Sequence, residues 1–433
     1  MQAAVAALIF QWMEYAEQSL SPDGPVVAQH VDKALEIWRA GVAAVEGDQV
    51  VRSALQREDD PGYDSVLAVG KAASAMLLGA VEFLPAAADI LLVTKEGHVN
   101  QGLLLDPRIR VIESGHPMPN ENSLVAGQAV LDFVESRAST SRLLVLVSGG
   151  ASALVEKPGP GLDLDGLKRL SDTLLADGYS IDQINTIRIA ISRIKGGRLL
   201  RRFPGRETLV LGISDIPGDD AALIGSGIGA LSPPKVSPFK IPGWIREIMD
   251  GMPGDDSSDM STGCGFRFRS ALVGSNRVAR AAAEAAARNL GLEVVESVEI
   301  LHGDVGPLAV ELAARVTEGG EGVYIWGGEP TVKLPQNPGQ GGRNQSLALA
   351  LSIALGGSSR IAGVVAGTDG TDGPTVAAGG IVGAISDDAS ALAALARADA
   401  GSWLQSHKRL FQTGPTGTNV MDLAILIKSG GQK

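Results

Sequence analysis

The sequence predicts an α/β protein of two lobes, each an open, mostly parallel sheet flanked by helices. Three observations carry that prediction. Short β-branched or leucine-rich runs end in Gly, Ser or Asp and lead into Ala-rich stretches of helical periodicity, the pattern of repeated β-loop-α units. Glycines gather where those runs end. A stretch rich in Pro, Gly, Ser and Asp at 231–267 separates the first set of units from the second.

Taken in order, residues 1–14 are apolar without a basic leading segment and place Leu8, Ile9, Trp12, Met13 and Ala16 at helical spacing. This predicts a packing helix, not a signal peptide, and a cytoplasmic protein. Strands are expected at 65–69, 90–94, 110–113, 143–147 and 208–213, then at 271–273, 293–301, 322–326 and 361–365. Helices are expected at 71–83, 121–135, 165–176 and 187–200, then at 277–290, 306–318 and 345–355, with a short one near 244–249. The expected division is a Rossmann-like N-terminal domain at 1–230, a linker at 231–267 and a C-terminal α/β domain at 268–433.

Composition removes several function classes. The chain has 433 residues, 45% hydrophobic and 20% charged, an ordinary globular balance. Its 37 Lys+Arg against 49 Asp+Glu give a net charge of −12, which argues against capture of a nucleic-acid backbone. Aromatic residues are only 4%, too few for base-stacking platforms. The single cysteine, Cys264, excludes an internal disulfide and a thiolate metal cluster. Every apolar run is interrupted before the ~18 residues that a membrane span needs. The 55 glycines, by contrast, exceed ordinary usage and call for a specific reason.

Four glycine loops follow strands: Gly70-Lys71, Ser148-Gly149-Gly150-Ala151-Ser152, Gly327-Gly328-Glu329 and Gly367-Thr368-Asp369-Gly370. Strand carboxyl ends are where ligands bind in open parallel sheets, and such loops turn backbone N–H groups toward anions. The G-x-x-x-x-G-K-[ST] loop is absent, as is a G-x-G-x-x-G between strand and helix with an acidic partner. Lys71 begins a helix, where the dipole favours negative charge, so it suits a site shared with an anion. Ser214-Asp215-Ile216-Pro217-Gly218-Asp219-Asp220 ends an apolar strand with three carboxylates; these suit Mg²⁺ or cap the helix that follows. Arg343, in Gly341-Gly342-Arg343-Asn344, offers a planar fork for carboxylate or phosphate. His116, in a Gly-His-Pro turn, reads as loop-shaping. The donor-rich stretch from Thr413 to Asn419 reads as structural or ligand-supporting.

These motifs together resemble the class II glycerate kinases, or glycerate 2-kinases, whose members were often labelled hydroxypyruvate reductases. The resemblance runs over nearly the whole chain: GKAASAM at 70–76, SGHPMPNENS at 114–123, VSGGASAL at 147–154, INTIRIAISRIKGGRL at 184–199 and SDIPGDD at 214–220. It continues with GSN at 274–276, GGEPTV at 327–332, GGRNQSLALA at 341–350, GTDGTDGPTVAAGG at 367–380 and TGPTGTNVMDL at 413–423. It implies ATP-dependent phosphorylation of D-glycerate, usually at the 2-hydroxyl, with Mg²⁺, by two α/β domains with the active site in the cleft separating them.

The family's catalytic lysine falls on Lys71 and its catalytic arginine on Arg343, with Asp215 as a further catalytic candidate. Asp219 and Glu329 are the expected metal ligands. Ser148, Gly149, Gly150 and Ser152 look like an anion cradle. Asn185, Arg188 and Lys195, the last two seven residues apart on the expected helix 187–200, are expected at the carboxylate or phosphates, or else on a solvated face. Asn344, Thr368 and Asp369 complete the expected substrate and nucleotide contacts. Partners are then glycerate and ATP, with no nucleic acid, no membrane and a homodimer by base rate. The chain departs from the family pattern at Ala151, Ile189, Ile228-Gly229 and Met421, where Gly, a basic residue, Pro-Thr and Asn are common; the Ile189 and Ile228 changes are expected to remove polarity near substrate loops. Alternative functions are an NAD(P)H-dependent hydroxypyruvate reductase, a kinase of another small hydroxyacid, and a catalytically silent binding protein on the same fold.

Overall fold

The computed structural model describes residues 25–176, 179, 181–221, 223–232, 241, 243–252, 266–385 and 388–430. The expected helix around Leu8–Ala16, Cys264 and most of the stretch 231–267 lie outside the described residues. No helix among the described residues is long and apolar enough to cross a membrane.

The described chain divides into two compact units, each carrying one six-stranded sheet. The first unit holds residues 44–275 with 417–420. Its strands are β1 (Ser65–Val69), β2 (Asp89–Lys95), β3 (Ile109–Ser114), β4 (Arg142–Val147), β5 (Glu207–Ile213) and β6 (Arg267–Gly274), in the order β3-β2-β1-β4-β5-β6. Every pair is parallel. β1, β4 and β5 are buried along their whole length, which is why they read as continuous apolar runs. Their side chains, among them Leu67, Val145 and Val210, form one core with Val130 and Val134 of the helix Glu121–Glu135. Strand order reverses at β1 and β4, so the crevice at their carboxyl ends is where such a sheet takes ligands.

The second unit holds the described residues 25–43, 276–416 and 421–430. Its strands are β7 (Val294–Leu301), β8 (Gly322–Gly328), β9 (Ile361–Gly367), β10 (Gly379–Val382), β11 (Leu410–Phe411) and β12 (Asp422–Lys428), in the order β11-β10-β9-β12-β8-β7. β7 and β8 pair in parallel, and β9 and β11 share their direction, while β12 and β10 run against these four. The helix Arg343–Ala354 is buried at Leu347, Ala348 and Leu351 against Val365 and Leu426 of the sheet.

Two boundaries differ from the sequence reading. The strand near 271–273 is longer than expected and, as β6, pairs with β5 from Glu207↔Arg267 onward, so it belongs to the first unit, not to a domain starting at 268. The helix Pro25–Ala43 belongs to the second unit, with Trp38 edge-on to Phe411 at 5.1 Å between ring centroids. The expected helix 187–200 is Ile181–Ala190: by Ser192 the chain forms a bridge to Pro158, and Gly196 and Gly197 then adopt φ of 60° and 85°, outside the helical region. β10, β11 and β12 were not anticipated.

Candidate active site

In the first unit the carboxyl ends of β1, β4 and β5 bring five of the expected site residues together. β1 and β4 approach so closely that a Cβ on Gly70, at φ 132°, would stand 2.6 Å from the Ser148 carbonyl oxygen. Glycine is therefore required where Lys71 begins its loop. The Lys71 N–H donates to the Gly149 carbonyl at 2.9 Å, and the Ala72 N–H donates to Ser148 Oγ at 3.0 Å. Ser148 is fully buried and clamps the lysine loop.

Gly149 leaves room for a carboxylate. A Cβ there would lie 1.8 Å from Asp215 Oδ2 and 2.3 Å from Asn419 Nδ2. Asn419 donates to Asp215 Oδ2 at 3.1 Å, so the short segment 417–420 supplies the donor that orients this half-buried acid. Gly150, at φ 83°, has the Lys71 stem and the His116 ring 3.1 and 3.0 Å from where its Cβ would be. His116 thus lies beside the lysine, a proximity that its turn motif did not reveal. Ser152 accepts from the Ser226 hydroxyl at 2.9 Å, and Asp219 sits partly exposed on the same loop as Asp215.

Arg188 and Asn185 are partly exposed on the helix Ile181–Ala190, and Arg188 lines a cavity with Met118, Glu156, Leu164 and Lys168. Lys195 does not join them. It is 0% exposed and ion-paired with Glu156, whose other oxygen accepts from Ser192 Oγ at 2.7 Å. Burial lowers the Lys195 pKa to about 8 against the opposing pull of Glu156, with Arg188 adding to the fall. Lys195 is a core group paired with Glu156. Ile189 and Ile228 are buried as well, Ile228 in the main core, so their apolar character serves packing and not a substrate loop. Ala151 sits in the short helix Ala151–Leu154, where its methyl needs no left-handed backbone.

In the second unit Arg343 is the first residue of its helix. Its Nε and Nη2 donate to the two oxygens of Asp422 at 2.6 and 3.0 Å, and Nη1 lies 3.0 Å from Glu329. Burial alone would weaken the guanidinium's hold on its proton, but Asp422 and then Glu329 and Asp372 raise its pKa further above the usual arginine range. Glu329, expected as a metal ligand, holds this cation instead. Asp372 closes the helix terminus, accepting the N–H groups of Asn344 and Gln345 at 3.1 and 2.8 Å. A Cβ on Gly342 would collide with it at 2.2 Å.

Asn344, expected at substrate, is wholly buried against Asp372. Thr368 donates its hydroxyl to the Met421 carbonyl at 2.7 Å and is buried, so it ties two loops together. Asp369 accepts from the Thr371 N–H and hydroxyl at 2.9 and 3.0 Å, shaping its own turn. Asp372 and Asp422 were missed from sequence. Both stood inside quoted motifs, but their partners lie 28 and 79 positions away, beyond any local pattern.

Burial raises the Asp372 carboxyl to about 7, opposed by the two backbone N–H donors and by Arg343, with Asp422 pushing it up. The unfolded chain releases this proton near 3.9, so between about pH 4 and 7 the folded form binds it more tightly. Stability from this group therefore falls as pH rises through that window, with a slope no steeper than about 1.4 kcal/mol per pH unit. Asp372→Asn should flatten the fall: thermal midpoints measured from pH 4.5 to 7.5 should decline less in the variant than in the wild type. Parallel curves would contradict the assignment.

Two family models match the chain: a domain of unknown function (DUF4147) over residues 33–238, and the MOFRL family over 322–422. A D-glycerate 2-kinase of Thermotoga maritima is 32% identical, covering 90% of this chain and 97% of the relative. A glycerate 2-kinase of Pyrococcus horikoshii is also 32% identical, covering 91% and 94%. Among solved structures, a glycerate kinase from Thermotoga maritima superposes with a TM-score of 0.76 at 31% identity, covering 92% of this chain and 99% of that one. With a relative above 30% identity matched over nearly its whole length, the same fold, and the lysine and arginine loops both built as described, this chain belongs to the class II glycerate kinase family.

Proposed function

We propose that the chain transfers a phosphoryl group from ATP to the 2-hydroxyl of D-glycerate, giving 2-phosphoglycerate, with Mg²⁺ as the metal. The observation that carries the reading is Arg343, a cation held by two carboxylates with its side chain still 29% exposed. Phosphoryl transfer asks a protein mainly to position its reactants and neutralise charge on the moving group, which a fixed arginine and a loop lysine supply. Lys71, held by its own N–H to Gly149, serves the phosphates. Asp215, oriented by Asn419, receives the hydroxyl's proton or orients the hydroxyl.

Mg²⁺ takes one or two carboxylates and draws its other ligands from water and phosphates. Asp215 and Asp219, both partly exposed on one loop, fit that demand; Glu329 is committed to Arg343. When bound, the ion neutralises phosphoryl oxygens. The names of the similar kinases support glycerate as the acceptor, and Ile189 and Ile228, two of the departures from the family pattern, are buried among packing residues.

The test is ADP release with ATP, Mg²⁺ and D-glycerate, with the product position read by phosphorus NMR and with hydroxypyruvate plus NADH run in parallel. Turnover to 2-phosphoglycerate is expected. Product phosphorylated at the 3-position would correct the regiochemistry, and NADH oxidation without ADP release would overturn the kinase reading.

A further inference from the structure

Asp422 opens β12 with no exposed surface, and it grips Arg343 side-on through Nε and Nη2. A guanidinium has five N–H donors in a rigid fork; Asp422 takes two and Glu329, at 3.0 Å from Nη1, takes one, so one N–H on Nη1 and the outer N–H of Nη2 are left to meet a further acceptor. The backbone around Asp422 is pinned on both sides. The Met421 carbonyl accepts from the Thr368 N–H at 3.0 Å and its hydroxyl at 2.7 Å, and the Asp422 carbonyl accepts from Asn276 Nδ2 at 3.1 Å. Met421 itself sits at φ 66°, an uncommon conformation for a non-glycine residue.

We propose that Asp422 is the positioning residue for Arg343, fixing one edge of the guanidinium so that the opposite edge meets a phosphoryl oxyanion. The assignment rests on the phosphoryl-transfer reading above. A long side chain held at two nitrogens has little rotamer freedom left to lose when the oxyanion forms, so its charge is already aimed. A wholly buried carboxylate is costly unless paired, and here its pairing goes to the site's arginine. Asp422 touches no reactant; its influence passes through Arg343.

The experiment is a double-mutant cycle on the full chain, with kcat, KM for ATP and glycerate, and thermal midpoint measured for wild type, Asp422→Asn, Arg343→Ala and the double variant. Asp422→Asn should lower kcat by about 30-fold or more while each KM stays within about threefold. Added to Arg343→Ala, it should cost less than about threefold, because the residue it acts through is gone. Equal losses in both backgrounds, or an Asp422→Asn variant within about threefold of wild type, would overturn the assignment. If Arg343→Ala falls below the assay floor, Arg343→Lys serves as the background under the same criterion.

Should Asp422→Asn fail to fold, Asp422→Glu keeps the charge and shifts the grip by one methylene. A kcat loss of about tenfold at an unchanged thermal midpoint is then expected, and an unchanged kcat overturns the role. A wild-type chain that phosphorylates no hydroxyacid defeats the function reading and this role with it. A live wild type indifferent at Asp422 defeats the positioning role alone.

Discussion

Arg343→Ala should lower kcat by roughly a hundredfold or more, and Lys71→Ala by a similar factor, the scale seen when one transition-state electrostatic group is removed. The two variants should part company in stability. Lys71 is partly exposed on a loop held by backbone hydrogen bonds, so its truncation should leave the thermal midpoint nearly unchanged. Arg343→Ala strands Asp422, a carboxylate with no exposed surface, and a buried charge without its partner costs about 3–5 kcal/mol. Arg343→Lys keeps a charge but offers a point donor where Asp422 meets a planar fork, so it should restore part of the stability and little of the rate. Steady-state kinetics beside thermal melts separate these effects. Activity of both alanine variants within about threefold of wild type, under ~1 kcal/mol, would remove the residues from the mechanism.

Lys195→Met should destabilise the first unit by about 3–5 kcal/mol, among the largest single effects expected here. Lys195 and Glu156 are both buried, and removing one leaves the other's charge without compensation. Replacing both, as Lys195→Met with Glu156→Met, should recover much of the loss, because a well-packed apolar pair is often as stable as a buried ion pair. The check is denaturant unfolding of the single and double variants. A single variant as stable as wild type would contradict the buried pairing, and a kcat loss larger than its stability loss explains would return Lys195 to the substrate.

The strands that position Lys71 and Asp215 were legible because β1, β4 and β5 are buried along their whole length and read as unbroken apolar runs. Lys71, Asp215 and Arg343 were legible because each stands in a glycine-flanked turn after a strand or before a helix. Lys195 was misread by one assumption. Its seven-residue spacing from Arg188 implies a shared face only if the helix continues, and the helix ends at Ala190, between the two. The carboxylates that hold Arg343 were hidden for a different reason. Asp422 earns its meaning from a strand placed beside β8 and β9 by the whole sheet, and no window of local sequence contains that pairing.

Among the described residues β12 comes after every other strand, yet it lies inside its sheet, antiparallel to both β8 and β9. Until β12 pairs, β8 and β9 have facing edges with no native neighbour. Such edges are apolar and unpaired, the state most exposed to wrong pairing, and the missing partner closes them over a long sequence separation, which is slow. The same segment carries Asp422, so an unfinished chain holds Arg343 without its grip. On the positioning role proposed for Asp422, the grip on Arg343 therefore forms only when β12 has taken its place between β8 and β9.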